Sequence, residues 1–114
     1  MLNRVTLVGE LAGHPFRSTD RGRPCLRLQL CPRGTWVDVN GHPRARGDVL
    51  PIVVFEDAAR GLGVLRPGSR ISVEGQLRVV VPDVHGGPPV SVLGVEALKV
   101  EFLRLGRPRT GRGG

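Results

Sequence analysis

The sequence predicts an all-β fold: a five-stranded Greek-key barrel with one short helix between its third and fourth strands. Three observations carry this. Leu26-Arg27-Leu28-Gln29-Leu30 and the stretch from Arg70 to Val79 alternate apolar and polar residues, the period of a half-buried strand. Helical spacing stands out in Ala58, Leu62 and Leu65, at i, i+4 and i+7, which makes one apolar helix face. The other apolar runs are short and bounded by Gly, Pro and Asp, as strands between turns are.

From the N-terminus, Val5, Leu7 and Leu11 share one parity, with Gly9 between them, where a missing side chain permits a bend or bulge. His14-Pro15-Phe16-Arg17 follows, and Ser18 to Pro24 reads as a turn cluster. The second strand is centred on Leu26, Leu28 and Leu30. Residues 31–48 are rich in Pro, Gly, Asp and Arg and predict a long loop or exposed hairpin turning at Asn40-Gly41. Val49 to Phe55 is the third strand. Its run Ile52-Val53-Val54-Phe55 is apolar on both parities, so both faces are expected to be covered, and Pro51 belongs at an edge or bulge.

Glu56 and Asp57 suit the positive end of a helix dipole. Gly61 and Gly63 each weaken that helix by about 1 kcal/mol, so a short helix held by tertiary contacts is expected. Arg66-Pro67-Gly68-Ser69 is a turn. In the fourth strand Ile71, Val73, Leu77 and Val79 are expected to point one way, with Arg70, Ser72, Glu74, Gln76 and Arg78 opposite. Residues 82–89 form a loop. Val90 to Leu103 is the fifth strand, with parity shifts near Leu93-Gly94 and Ala97-Leu98 that suggest bulges. Residues 1–103 thus form one domain, and the Arg- and Gly-rich residues 104–114 read as a disordered basic tail. Three strands, a helix and two strands is the order of the OB-fold, a partly open barrel that commonly binds oligonucleotides or oligosaccharides.

Charge narrows the function. The net charge is +7, and of 17 basic residues all but Lys99 are Arg, a side chain suited to bidentate phosphate contact and to stacking on bases. A polyanion, most often nucleic acid, is the natural partner, although a basic balance also serves solubility alone. Cys25 and Cys31 share one strand face roughly 20 Å apart, too far for a disulfide, and read as reduced thiols of a cytoplasmic protein. No C-x-x-C occurs and the three His lie far apart in sequence, so no metal or other cofactor is expected. The N-terminus does not read as a signal peptide, and no apolar run is long enough for a membrane span. Gly106 to Gly111 has P-loop spacing but lacks its Lys and its helix. No nucleophile motif or carboxylate pair stands out, so the chain does not read as an enzyme.

Met1-Leu2-Asn3-Arg4-Val5-Thr6-Leu7-Val8-Gly9-Glu10-Leu11, Ile52-Val53-Val54-Phe55-Glu56-Asp57-Ala58-Ala59, and Leu65-Arg66-Pro67-Gly68-Ser69-Arg70-Ile71-Ser72-Val73-Glu74-Gly75-Gln76-Leu77-Arg78 resemble, in order and spacing, the bacterial single-stranded DNA-binding protein family. Primosomal replication protein N lies in the same neighbourhood. The resemblance implies sequence-independent binding of single-stranded DNA in replication, recombination or repair, near the nucleoid. It also implies a homo-oligomer, dimer or tetramer, and replication or repair proteins as further partners. It places a stacking tryptophan at Trp36, a stacking phenylalanine at Phe55, and basic positions at Arg4 and Arg78.

The residues themselves leave alternatives open. Trp36 in a Gly-rich loop serves as a base platform or as a loop anchor. Phe55 ends an apolar run and reads first as core. Arg27 and Arg33, with Gln29, track phosphates or form an ordinary solvated face. Arg107, Arg109 and Arg112 add salt-sensitive affinity or do nothing. The family's Trp-His-Arg run is replaced by Val49-Leu50-Pro51, an aromatic after the fourth strand by Val81-Pro82, and the acidic tip that recruits partners by Arg and Gly. Recruitment through such a tip is therefore not expected. The lost platforms favour a second reading, a protein-interaction module like primosomal replication protein N with weak or lost DNA binding.

Overall fold

The computed structural model describes residues 3–32, 36–37, 43–44, 49–82, 88 and 90–105, with the backbone alone at 36–37 and 43–44. Eight strands and one short helix follow in order: β1 Val5–Leu11, β2 Phe16–Asp20, β3 Arg23–Pro32, β4 Trp36–Val37, β5 Pro43–Arg44, β6 Leu50–Phe55, α1 Glu56–Ala59, β7 Arg70–Val80 and β8 Val92–Arg104. Strands β1, β7, β8, β6 and β3 neighbour one another in that order, and β1 also pairs with β3, which closes a five-stranded barrel. The β6–β8 pair is parallel and the others are antiparallel. This is the OB-fold barrel predicted above, with its helix between the third and fourth barrel strands.

The alternation in β3 decides what lies inside. Leu26, Leu28 and Leu30 join Leu11, Ile52, Val54, Ile71, Val73, Val95 and Ala97 in the core. Leu62 and Leu65 plug it from the helical segment, as their spacing predicts, and Ala58 packs against it. The helix itself is shorter than that spacing suggests. It ends at Ala59, where Arg60 turns extended (ψ 127°); Gly61 is left-handed (φ 80°), and a single 3-10 turn, Leu62–Val64, follows. Val53 faces the other way, yet it is fully buried with Cys25 and Val80 in a second cluster, against which Phe55 and Val92 pack. Both faces of β6 are thus covered. Pro51 lies at the margin of the β6–β8 ladder, which starts at Ile52.

Three expectations need correction. Residues 18–24 are not a turn cluster. Phe16–Asp20 forms β2, on the edge of β3 that β1 leaves open, and the turn is only Arg21-Gly22. Both residues have positive φ (54° and 79°), as a type I′ hairpin turn requires. Leu77 and Val79 are exposed rather than core, at 43% and 55%. The register shift between Glu74 and Gly75 changes the course of the strand. Beyond Gly75, the last residue that β1 pairs with, β7 continues paired with β8 alone, while β8 itself stays paired with β6 at Val95–Ala97. On this β7–β8 arm Leu77 and Val79 face out and Val80 is buried. The bulge expected near Ala97-Leu98 lies opposite that shift, whereas the ladder runs regularly through Leu93-Gly94.

The predicted hairpin within 31–48 exists as a backbone pair, Trp36↔Arg44 and Val37↔Pro43. The turn expected at Asn40-Gly41 lies outside the described residues, as do most of the loop at 82–89 and the expected tail from residue 106 onward. Neither cysteine is in a disulfide.

Candidate nucleic-acid interface

The face of β3 opposite its three leucines carries Cys25, Arg27, Gln29 and Cys31. Cross-strand pairing extends this face in both directions. Phe16 of β2 is opposite Arg27, and Ser18 is opposite Cys25. On the other side Phe55 is opposite Cys25, Val53 opposite Arg27 and Pro51 opposite Gln29. The outer wall of β2–β3–β6 therefore carries two aromatic rings. Phe16 is 38% exposed. Phe55 is half-buried, and the Arg23 guanidinium lies 3.9 Å from its ring centroid, a cation–π stack.

The same face carries a chain of charges. Asp20 is 6% exposed. Its carboxylate accepts a hydrogen bond of 2.7 Å from the Arg78 guanidinium and lies 3.9 Å from Arg27. Arg27 donates through Nε to Ser18 Oγ at 2.9 Å and through a terminal nitrogen to the Thr19 carbonyl at 2.8 Å. Nε of Arg78 lies 3.0 Å from a Glu96 carboxylate oxygen. Four strands, β2, β3, β7 and β8, are tied by this Arg27–Asp20–Arg78–Glu96 sequence of contacts. Arg27, Asp20 and Arg78 line a cleft of about 530 Å³ between β2 and the end of β7, with Arg21 and Pro82 also lining it.

The six residues singled out from the sequence are thus placed as follows. Phe55, Arg27 and Arg78 come together at this wall. The two arginines are largely buried on that face, with side chains 7% and 15% exposed, and hold Asp20. Arg4 stands apart beside β1, 62% exposed, with its guanidinium 3.7 Å from Glu74. Its neighbour Asn3 extends the β1–β7 ladder by exchanging two side-chain hydrogen bonds, of 2.9 and 3.0 Å, with the backbone of Leu77. Trp36 sits in β4, on the hairpin between β3 and β6. Arg33 lies outside the described residues.

Sequence reading missed Phe16, Arg21 and Arg23 as site residues. Phe-Arg-Ser-Thr-Asp has one large apolar residue and three turn-forming ones, so its strand character comes from pairing with β3 and not from its own pattern. A signal was present in Arg21-Gly22, a two-residue hairpin turn flanked by Asp20 and Arg23.

The decisive comparison is with protein families: the model of the single-strand binding protein family matches residues 2–103. The chain belongs to that family. Among solved structures it resembles the small single-stranded DNA-binding protein of Streptomyces coelicolor, with a TM-score of 0.62 and 21% identity over 90% of this chain and 94% of that one. The Plasmodium falciparum SSB in complex with ssDNA gives 0.63 and 22%, over 90% and 96%. A deletion mutant of the single-stranded DNA binding protein from Thermus aquaticus gives 0.63 and 27%, over 98% of this chain and 52% of that one, about half its length. No curated protein sequence matches significantly. Among the described residues there is no group of three or more His, Cys, Asp and Glu that could hold a metal, and no helix long and apolar enough to cross a membrane. The family is one of binding, not of catalysis.

Proposed function

We propose that this single-strand binding family member binds single-stranded DNA without sequence preference, in bacterial replication, recombination or repair at the nucleoid. The observation that carries the reading is the outer wall of β2–β3–β6, where Phe16 is exposed and Arg23 stacks on Phe55. A ring offers every base a π-face, which makes stacking tolerant of sequence, at about 1–3 kcal/mol per base. Trp36 on the β4–β5 hairpin and Arg33 before it are the next contacts in this reading, and Arg4 adds charge from β1. Arg27 and Arg78 act through Asp20, by keeping the wall and the arm in register.

Anisotropy of a labelled oligo-dT, against duplex of equal length, tests this directly. Single strand should bind tighter than duplex, and Phe55→Ala should weaken it roughly 5- to 150-fold, the equivalent of one lost stacking contact. Equal affinity for the two DNAs, abolished by moderate salt, would leave only electrostatics.

Arg21 supports the same reading. A non-glycine residue at φ 54° is strained, and such strain persists where function holds it. Arg21→Asn is expected to raise folding stability by up to about 1 kcal/mol, because Asn-Gly is a preferred type I′ pair. The same variant is expected to bind DNA more weakly and to lower the salt slope by about 0.7, one phosphate contact on a single strand. Thermal melts and a salt titration check both halves.

A second reading, an interaction module, draws on the arm. Leu77, Val79 and Leu93 are 43%, 55% and 59% exposed, and exposed apolar patches mark association. We propose that the chain forms a homo-oligomer, dimer or tetramer. Light scattering at tens of micromolar should return a mass above the monomer's 12.3 kDa, and a monomer mass would refute it.

A further inference from the structure

A second groove, of about 370 Å³, lies between the β2–β3 hairpin and the segment that follows β6. Its lining is apolar or backbone at Pro24, Leu26, Ala59 and Gly63. Arg17 of β2 and Arg60 after α1 also line it. Both are exposed, and neither has an ion-pair partner among the described residues. Glu56 is the acid that lines it. A volume of this size suits one small ligand unit, and two free guanidinium groups suit a phosphate diester.

The groove adjoins the aromatic wall. Cys25 lines it and is the cross-strand partner of Phe55. Pro24, on its rim, follows the Arg23 that stacks on Phe55. Arg17 follows Phe16 in β2 and points to the other side of that strand. A strand leaving the Phe55–Arg23 stack therefore meets Pro24 and Cys25 next, and beyond them two unpaired cations.

The geometry points to a continuation of the strand path. The groove takes one further nucleotide, its flanking phosphates held by Arg17 and Arg60 and its base laid against Pro24 and the glycine floor. This rests on the strand-binding reading above and extends it to a face of the barrel that the aromatic residues do not reach. Phosphate contacts position a strand without reading sequence, so the groove should lengthen the binding site and leave base preference unchanged.

The test compares two oligo-dT lengths, about 5 and roughly 15 nucleotides, within the site sizes one OB-fold covers. The R17Q/R60Q double variant should lower the salt slope by about 1.4 on the longer oligonucleotide, for two lost phosphate contacts, and leave the shorter one unchanged. A second variant, Gly63→Leu, fills the groove. A Cβ there meets nothing within 4 Å, so the fold tolerates it, and it should weaken the longer oligonucleotide selectively too. Equal losses on both lengths would reduce the effect to bulk charge and overturn the proposal. No loss on either, with unmodified protein binding both, would overturn the extension alone. No binding of either oligonucleotide by the unmodified protein would overturn the strand-binding reading and this extension together.

Discussion

Asp20→Ala is expected to remove about 3–5 kcal/mol of folding stability, the cost of leaving buried charges without their counter-ion. Asp20 is 6% exposed and faces two guanidinium groups, Arg78 at 2.7 Å and Arg27 at 3.9 Å. Without it the two largely buried cations confront each other, with Glu96 the remaining acid in contact with Arg78. Arg27 keeps its bonds to Ser18 and Thr19, so the tie from β2 to the β7–β8 arm fails first. For a domain of this size the melting temperature should fall on the order of 20 °C, and urea unfolding gives the free energy directly. A loss below about 1 kcal/mol would mean that water serves these arginines as well as the carboxylate does.

Gly9→Ala and Gly75→Ala should be comparably severe, for a steric reason. A Cβ on Gly9 would run into the carbonyl of Cys31, with the Pro32 Cα at 3.0 Å. This is where β1 closes onto β3. A Cβ on Gly75 would run into the carbonyl of Glu96, with the Ala97 Cα at 2.9 Å. This is where β7 leaves the barrel. Backbone on both sides cannot yield as a side chain can, so each substitution should cost about 3 kcal/mol or more, the upper range for overpacking. Domains hold only about 5–15 kcal/mol in total, so the double variant should not fold. Circular dichroism melts against Gly63→Ala, which meets open space and should change little, separate this clash from a general intolerance of glycine replacement.

How much of this was legible beforehand follows from the range of the interactions. Leu26, Leu28 and Leu30, or Ile71 and Val73, announce a buried face because period-two patterning is local. Ile52 to Phe55 announces two covered faces for the same reason. The plug formed by Leu62 and Leu65 was readable from spacing, although the helix ends at Ala59, before it reaches them. Strand β2 was not readable, because Phe16–Asp20 takes its conformation from β3. Leu77 and Val79 kept the core parity in sequence and lost it in space, once the bulge at Gly75 turned β7 out of the barrel. The arginines show the limit most clearly. Arg27 and Arg78 look alike as cations on polar faces, yet Arg78 is tied to Asp20 across 58 residues. Nothing in the spacing of one strand reports such a partner. The candidate site was legible at Phe55, whereas Phe16, Arg21 and Arg23 came into view only with the hairpin.

The most direct test of the central claim, that single strands stack on the β2–β3–β6 wall and its hairpin, uses the one tryptophan of the chain. Trp36 fluorescence is followed while oligo-dT, and separately duplex of equal length, is added at low and moderate salt. The account predicts strong quenching by the single strand, retained at moderate salt, and little by duplex. Unchanged fluorescence with single strand, or equal quenching by both DNAs that vanishes with salt, would contradict it.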